Sequence, residues 1–205
     1  MLEKRIYLSA LNIEAPIPPD VHFHDEGFVQ DLNMHFVMKA ALYAVARHEV
    51  EEVVKNRTIF GRTVVFRRDN QRYIYMACCK NNDEVQRTQT RGHEETHVLQ
   101  LTGNFHLFEE LVRRAKLKID FRRLENHVES LEELTEVTAD IGGLFVCHKK
   151  FGFERVIKHY KDIAKQFQYL GPAFEIYRSA VHKSLPLMDR WVARIAGLNH
   201  AAAKI

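Results

Sequence analysis

Cysteine is scarce in this sequence, and its scarcity excludes a fold held together by disulfides. Only three cysteines occur among 205 residues, of which Cys78 and Cys79 are adjacent and Cys147 stands alone. Adjacent cysteines do not readily bridge each other, and disulfide-stabilised secreted domains carry a richer framework. The pattern therefore predicts a protein of a reducing compartment.

Long apolar runs are also missing. No stretch approaches the roughly 20 apolar residues of a membrane span, and the N-terminal residues contain no apolar core of a signal peptide. We therefore expect a soluble, cytoplasmic protein that does not enter a membrane.

A strong excess of charge of one sign is absent as well. The 30 basic and 27 acidic residues leave a net charge of +3. One basic stretch, LVRRAKLKIDFRR at residues 111–123, is interleaved with apolar residues and fits a solvated helix face. Nucleic acid is therefore not the expected partner.

The residues that are present predict one compact domain with an α+β fold dominated by helices. Residues 14–27 hold three of the five prolines and are predicted to be extended and irregular. Apolar spacing predicts a long buried helix from Val29 to about Lys55, and residues 58–79 predict a β-hairpin with its turn at RDNQ. A polar helix follows to about Leu101, with its N-cap among Asn81, Asn82 and Asp83. Helices occupy the remainder, including three after Phe153.

The stretch RGHEETHVLQL, at residues 91–101, carries the first candidate chemistry. His93 and His97 are four residues apart on the predicted helix, so both side chains project from one face and can grip one ion. Zinc accepts neutral imidazole nitrogens at about 2.0–2.1 Å. Glu94 can take the proton of the attacking water, whereas Glu95 and Thr96 face elsewhere. The alternative is a solvated helix face that carries two unrelated histidines.

A catalytic zinc needs a third protein ligand, and a later helix offers one. In ELTEVTADIGG, Glu136 and Asp140 are four residues apart. Glu136 can therefore bind the metal while Asp140 accepts a hydrogen bond from a ligand histidine and fixes its ring. The neighbouring glutamates lack such an aspartate: Glu129, Glu132 and Glu133. An ordinary acidic helix face is the alternative reading of this segment.

The combination of H-E-x-x-H on one helix and E-x-x-x-D on a later helix resembles gluzincins, the metallopeptidase clan that includes thermolysin. The resemblance implies that His93, His97 and Glu136 bind zinc, that Glu94 is the general base, and that Asp140 is the partner of His93. It further implies one zincin-like domain over residues 1–205, with a small antiparallel sheet before the active-site helix and a helical C-terminal subdomain at 153–205.

The resemblance also bears on the substrate cleft. In gluzincin cores the strand before the active-site helix forms the upper rim of the cleft and pairs with an extended peptide, and here that strand would run from about Arg72 to Cys79. RTQTRGHEETHVLQL is similar to the ImmA/IrrE-type peptidases, which also carry an arginine upstream on this helix. The gap between His97 and Glu136 leaves room for an inserted helix.

Two further features stay open at the level of sequence. The group that would stabilise negative charge on the substrate carbonyl oxygen is not singled out among six candidates: His148, His159, Tyr160, Tyr169, Tyr177 and His182. HFHD, at residues 22–25, is weak as a second metal site and could instead form a flap across the cleft.

These observations together predict a cytoplasmic zinc metallopeptidase that hydrolyses peptide bonds in peptide or protein substrates. One rival is a regulator that keeps the zincin scaffold and serves one dedicated partner with little general peptidase activity. Another is a small basic DNA-associated helical protein in which HEETH is accidental. Metal content separates this last rival from the other two.

Overall fold

The structure, a computed structural model, describes residues 3–43, 60–80, 83–125, 130–163 and 169–181. Within these ranges the protein has a mixed α/β fold in which helices predominate. No helix of the described ranges is both long and apolar enough to cross a membrane.

The strands of the described ranges form two small sheets. β1 (Arg5–Leu8) and β2 (Ile13–Pro16) make an antiparallel hairpin, which the sequence did not predict. The second sheet contains β3 (Val21–Val29), β4 (Gly61–Arg68) and β5 (Gln71–Cys79) in the order β3-β5-β4. β4 and β5 confirm the predicted hairpin, and its tip residues Asp69 and Asn70 have φ of 50° and 60°. Aspartate and asparagine tolerate this left-handed conformation better than most residues.

The position of β3 corrects the prediction for residues 14–27. This segment is not irregular, because the end of β2 and most of β3 lie within it, and the prolines stand at the end of β2 and in the turn before β3. No ladder N–H is required at those positions. β3 pairs in parallel with β5, which lies about fifty residues further along the chain. No local sequence pattern predicts such a pairing.

The position of β5 corrects the prediction for the rim strand. β5 lies in the centre of the sheet, parallel to β3 on one side and antiparallel to β4 on the other. Both of its edges are therefore occupied, and it cannot pair with an incoming peptide. The sheet is mixed rather than antiparallel, and the strand at the edge beside the candidate site is β4.

The helices are α1 (Leu32–Leu42), α2 (Glu84–Leu101), α3 (Phe105–Arg114), α4 (Phe121–Glu125), α5 (Leu131–Phe151), α6 (Phe153–Ile163) and α7 (Leu170–Val181). α2 confirms the predicted polar helix, since the Asp83 side chain caps it by accepting hydrogen bonds from the N–H groups of Val85 and Gln86. α3 and α4 occupy the long gap between His97 and Glu136.

Other helix predictions are met in part. The helix predicted from Val29 begins only at Leu32, after the N-cap Asp31, and its Val50 and Val54 lie outside the described residues. α6 and α7 are two of the three helices predicted after Phe153. Gly171 and Pro172 lie in the first turn of α7, where proline is tolerated. Residues 182–205, with Pro186, are outside the described ranges.

α2 packs along α5, and this pair of helices builds the candidate site. The helices can approach closely because Gly143 has no Cβ. A Cβ at this position would lie only 2.6 Å from the carbonyl oxygen of Gln89. α2 is polar by composition and nevertheless buried, since Glu94, Glu95 and Thr96 are each less than 5% exposed. The reading of this helix as a solvated polar face is therefore wrong. Buried polar groups need partners, and those partners define the chemistry of the helix.

Candidate metal centre

His93 and His97 meet on one face of α2. Their Nε2 atoms lie 2.9 Å apart, and their ring planes are inclined at 79° to each other. The side chains are 16% and 13% exposed, so the two imidazoles lie at the edge of the core rather than in open solvent. The helical spacing of four residues that predicted this pairing is sufficient to produce it.

Glu136 reaches the same point from α5. Its Oε2 atom lies 3.5 Å from Nε2 of His93, and its Oε1 atom lies 3.5 Å from Nε2 of His97. One ligand atom from each of the three residues falls within 4.8 Å of the others, and within the described ranges no other group of this kind occurs. Glu132 and Glu133 do not join the cluster, and Glu129 lies outside the described residues. The three residues can hold a metal ion.

Each histidine is oriented through its other ring nitrogen. Nδ1 of His93 lies 2.8 Å from Oδ1 of Asp140, and Nδ1 of His97 lies 2.9 Å from Oε1 of Gln100. The Gln100 amide nitrogen donates to Thr138 Oγ1 at 2.6 Å, which leaves Oε1 as the acceptor. Both Nδ1 atoms are therefore placed to donate, which leaves both Nε2 atoms facing the gap, where they can bind a metal ion.

This donor set fits a small cation. Two imidazole nitrogens that face each other across 2.9 Å need a proton or a metal ion between them. Tetrahedral zinc at about 2.0–2.1 Å from each ligand would separate two ligand atoms by ~3.3 Å. The observed separations of 2.9 Å and 3.5 Å lie on either side of that value.

The electrostatics of the cluster also favour positive charge. Burial lowers the pKa of His93, but Asp140 and then Glu136 outweigh this effect and raise the pKa well above its ordinary value. Burial opposes ionisation of Glu136, yet its hydrogen bonds to His93 and His97 hold its pKa far below the usual range. A proton or a metal ion bound at this point would therefore be stabilised by two carboxylates.

Glu94 lies beside the cluster and faces β4. Its side chain is buried, and its Oε2 atom accepts a hydrogen bond of 2.8 Å from the Thr63 hydroxyl. Burial raises the pKa of Glu94, whereas the nearby charges of His93 and His97 lower it by smaller amounts. Sequence reasoning identified Glu94 but missed Thr63, because this contact joins residues 31 positions apart. A Glu94 carboxylate with one side-chain donor is suited to exchange a proton.

Glu95 faces the N-terminal strands and accepts hydrogen bonds from the turn that joins them. It accepts hydrogen bonds from the backbone N–H groups of Ala10 and Leu11 at 3.1 and 2.9 Å, and from Nε of Arg91 at 2.8 Å. Arg91, the arginine upstream on this helix, also forms a bidentate ion pair with Asp25 of β3. Glu95 therefore joins α2 to the N-terminal strands, and a change at this residue should lower stability.

HFHD at residues 22–25 is not a flap, and it belongs to no group of potential metal ligands within the described ranges. The segment lies within β3, where His22 and His24 stack on Tyr73 and Tyr75 of β5 with ring centroids 4.9 and 4.4 Å apart. Asp25, the last residue of the motif, is the ion-pair partner of Arg91. The motif is therefore structural.

The structure separates the six candidates for carbonyl-oxygen stabilisation. His148 pairs with Tyr177 at 2.8 Å, three helical turns beyond Glu136 on α5, and His159 lies near Asp83 at the start of α2. Tyr160 is fully buried. Burial raises the pKa of both Tyr160 and Tyr169, and carboxylates of the site contribute to each: Asp140 for Tyr160, and Glu136 for Tyr169. His182 lies outside the described residues. Of the two tyrosines Tyr160 and Tyr169, the first has no exposed surface and the second is partly exposed.

Comparison with known proteins adds no family to this description. No protein-family model, curated protein or solved structure matches the chain. The functional argument consequently rests on the geometry and chemistry of the cluster formed by His93, His97 and Glu136, with Glu94 beside it.

Proposed function

We propose that the protein is a zinc-dependent peptidase of gluzincin type, in which His93, His97 and Glu136 hold the metal and Glu94 is the general base. The observation that carries the proposal is the convergence of three ligand atoms within 4.8 Å, next to a buried carboxylate. Two imidazoles and one carboxylate form a three-residue donor set typical of catalytic zinc, whose fourth ligand is water.

A bound zinc ion would supply Lewis-acid chemistry, polarising the peptide carbonyl and acidifying water. Glu94 takes a proton from the attacking water as its oxygen bonds to the carbonyl carbon. When the carbon–nitrogen bond breaks, Glu94 returns that proton to the leaving amine, so the carboxylate is regenerated in each turnover. Tyr169, which is partly exposed and whose pKa is raised in part by Glu136, is the candidate that we favour for stabilising the negatively charged carbonyl oxygen.

An extended peptide is the substrate class that the sheet favours. Within the described ranges no strand pairs with the outer edge of β4, and β4 is the strand that contacts Glu94 through Thr63. A peptide that adds to this edge would lie beside the catalytic carboxylate, as β-augmentation requires.

Because Cys78, Cys79 and Cys147 form no disulfide, we place this activity in the reducing cytoplasm. We treat residues 1–205 as a single zincin-like domain.

Metal content after zinc loading and gel filtration tests the proposal. Wild-type protein should retain about one zinc ion per chain, and His93→Ala should lose most of it, because two remaining ligands hold zinc poorly. His106→Ala is the matched control, since His106 is exposed on α3 and should retain the metal. A wild-type protein that stays metal-free refutes the proposal. Zinc-loaded protein that cleaves one partner protein but no peptide library would favour the regulator instead.

A further inference from the structure

Glu94 is held by the edge strand of the sheet. The Thr63 hydroxyl donates to Oε2 of Glu94 at 2.8 Å, and no other hydrogen bond to this carboxylate occurs among the described residues. Gly61, on the same face of β4, approaches so closely that an added Cβ would lie 2.7 Å from both Cγ and Oε1 of Glu94. The position of β4 therefore determines the position of the carboxylate.

The main-chain N–H and C=O groups of Thr63 point away from β5. Cys79 N–H donates to the Phe60 carbonyl, and the register then pairs Gly61 with Cys78 and Thr63 with Met76 without a bulge. Hydrogen-bonded and non-hydrogen-bonded pairs alternate in an antiparallel ladder. Phe60 belongs to a hydrogen-bonded pair, so Gly61 and Thr63 belong to non-hydrogen-bonded pairs. Their N–H and C=O groups consequently point away from β5, toward the outer edge of β4.

We infer that Thr63 is a positioning residue that couples the docking of an extended substrate to the alignment of Glu94. A peptide strand that pairs with the main chain of Thr63 fixes the backbone whose side chain holds the general base. Docking thus immobilises Glu94 in the orientation needed for proton transfer. This inference rests on the proposed function, and it predicts that longer peptides are cleaved with a higher kcat and not only a lower KM.

Two substitutions isolate the hydroxyl. Thr63→Val has nearly the same shape as threonine and suits a strand but cannot donate to Glu94, whereas Thr63→Ser keeps the hydroxyl and loses a methyl group. On a peptide long enough to pair along β4, Thr63→Val should lower kcat roughly 10- to 100-fold with little change in KM, the usual effect of losing a hydrogen bond to a charged group. Thr63→Ser should keep most of the wild-type kcat. Both variants should bind zinc as tightly as the wild type.

Peptide length provides the test of coupling. The wild-type kcat should rise as the substrate is extended from a dipeptide to about six residues, since each added residue can pair with β4. This rise should disappear in Thr63→Val and persist in Thr63→Ser. A rise of equal size in all three proteins, or equal kcat values for the two variants, overturns the inference.

A spectroscopic measurement separates this inference from the proposed function. The ¹³C carboxyl resonance of Glu94, assigned by its absence from Glu94→Gln, should shift in Thr63→Val and stay near its wild-type position in Thr63→Ser. A resonance that does not move in Thr63→Val overturns the positioning role, whatever the activity. If the resonance moves but the zinc-loaded protein has no peptidase activity, the proposed function is refuted. Only the hydrogen bond between Thr63 and Glu94 is then confirmed.

Discussion

Glu94 and Glu95 are adjacent on α2 and both buried, but they face two different regions of the molecule. Glu95 faces the N-terminal strands and is surrounded by donors from Ser9, Ala10, Leu11 and Arg91. Glu94 faces β4 and the metal cluster, and its carboxylate accepts one side-chain hydrogen bond, from Thr63. The same residue type therefore has a structural role on one side of the helix and a proposed catalytic role on the other.

The difference shows how burial is compensated in each region. A buried carboxylate is costly unless donors or positive charges replace water. At Glu95, protein donors replace nearly all of the lost water. Two of them, the N–H groups of Ala10 and Leu11, attach the turn after β1 to α2. At Glu94 the replacement is incomplete, and burial raises the pKa of the carboxyl group. A carboxylate with spare acceptor capacity and an elevated pKa is better suited to accept and return a proton.

The comparison is tested most strongly by Glu94→Gln. The amide is nearly isosteric and is not a metal ligand, so zinc content should be unchanged. Peptide hydrolysis should fall by on the order of 10²–10⁴, because an amide cannot accept the proton of the attacking water. The assay is cleavage of an unfolded protein or a peptide library, followed by mass spectrometry at equal zinc occupancy. Full activity in this variant would show that the wrong carboxylate has been assigned.

Glu95→Gln should produce the opposite phenotype. It removes the charge that pairs with Arg91, whose side chain is 13% exposed while that of Glu95 is fully buried. The free energy of unfolding should fall by about 3 kcal/mol, the scale of breaking a buried ion pair. Urea denaturation measures this loss, and the folded variant should keep its zinc and its kcat. Glu84→Gln is the control on the same helix, since its pair with Lys150 is half-exposed, and it should unfold like the wild type. Unchanged stability in Glu95→Gln would remove the distinction between the two faces.

Asp140→Ala tests whether Asp140 controls the orientation of the His93 ring. The variant loses the hydrogen bond of 2.8 Å to Nδ1 of His93 but keeps the three residues that we propose as metal ligands. Zinc affinity should fall by roughly 10- to 100-fold, the usual cost of losing the partner of a ligand histidine. A competition titration with a zinc chelator measures the change. An unaltered affinity would mean that Asp140 does not control the His93 ring.

The smallest effect is expected for Gln100→Ala. Gln100 accepts from Nδ1 of His97 at 2.9 Å, but a neutral amide is a weaker acceptor than a carboxylate. Zinc affinity should therefore fall by less than in Asp140→Ala, by roughly tenfold at most. The same chelator titration, run on both variants side by side, gives the ratio. A larger loss in Gln100→Ala would reverse the assigned importance of the two partners.

Local pattern determined the elements that rely on local interactions. The hairpin of β4 and β5, the N-cap of α2 and the pairing of His93 with His97 all involve residues close in sequence, so spacing and turn chemistry were sufficient to predict them. Glu136 and Asp140 were recognisable because a helix places residues four apart on one face. Gln100, three residues after His97, could have been found by the same reasoning.

Only the tertiary structure decided which partners these elements meet. β5 became the central strand because β3 pairs with it in parallel from about fifty residues away, and this made β4 the edge strand. The partners of Glu94 and Glu95 were decided likewise, with Thr63 on one side of α2 and the turn after β1 on the other. The sequence by itself determined which residues can bind a metal or exchange a proton, because that depends on side-chain chemistry and helical spacing. Their burial and their donors depend on contacts between distant segments, which no local pattern encodes.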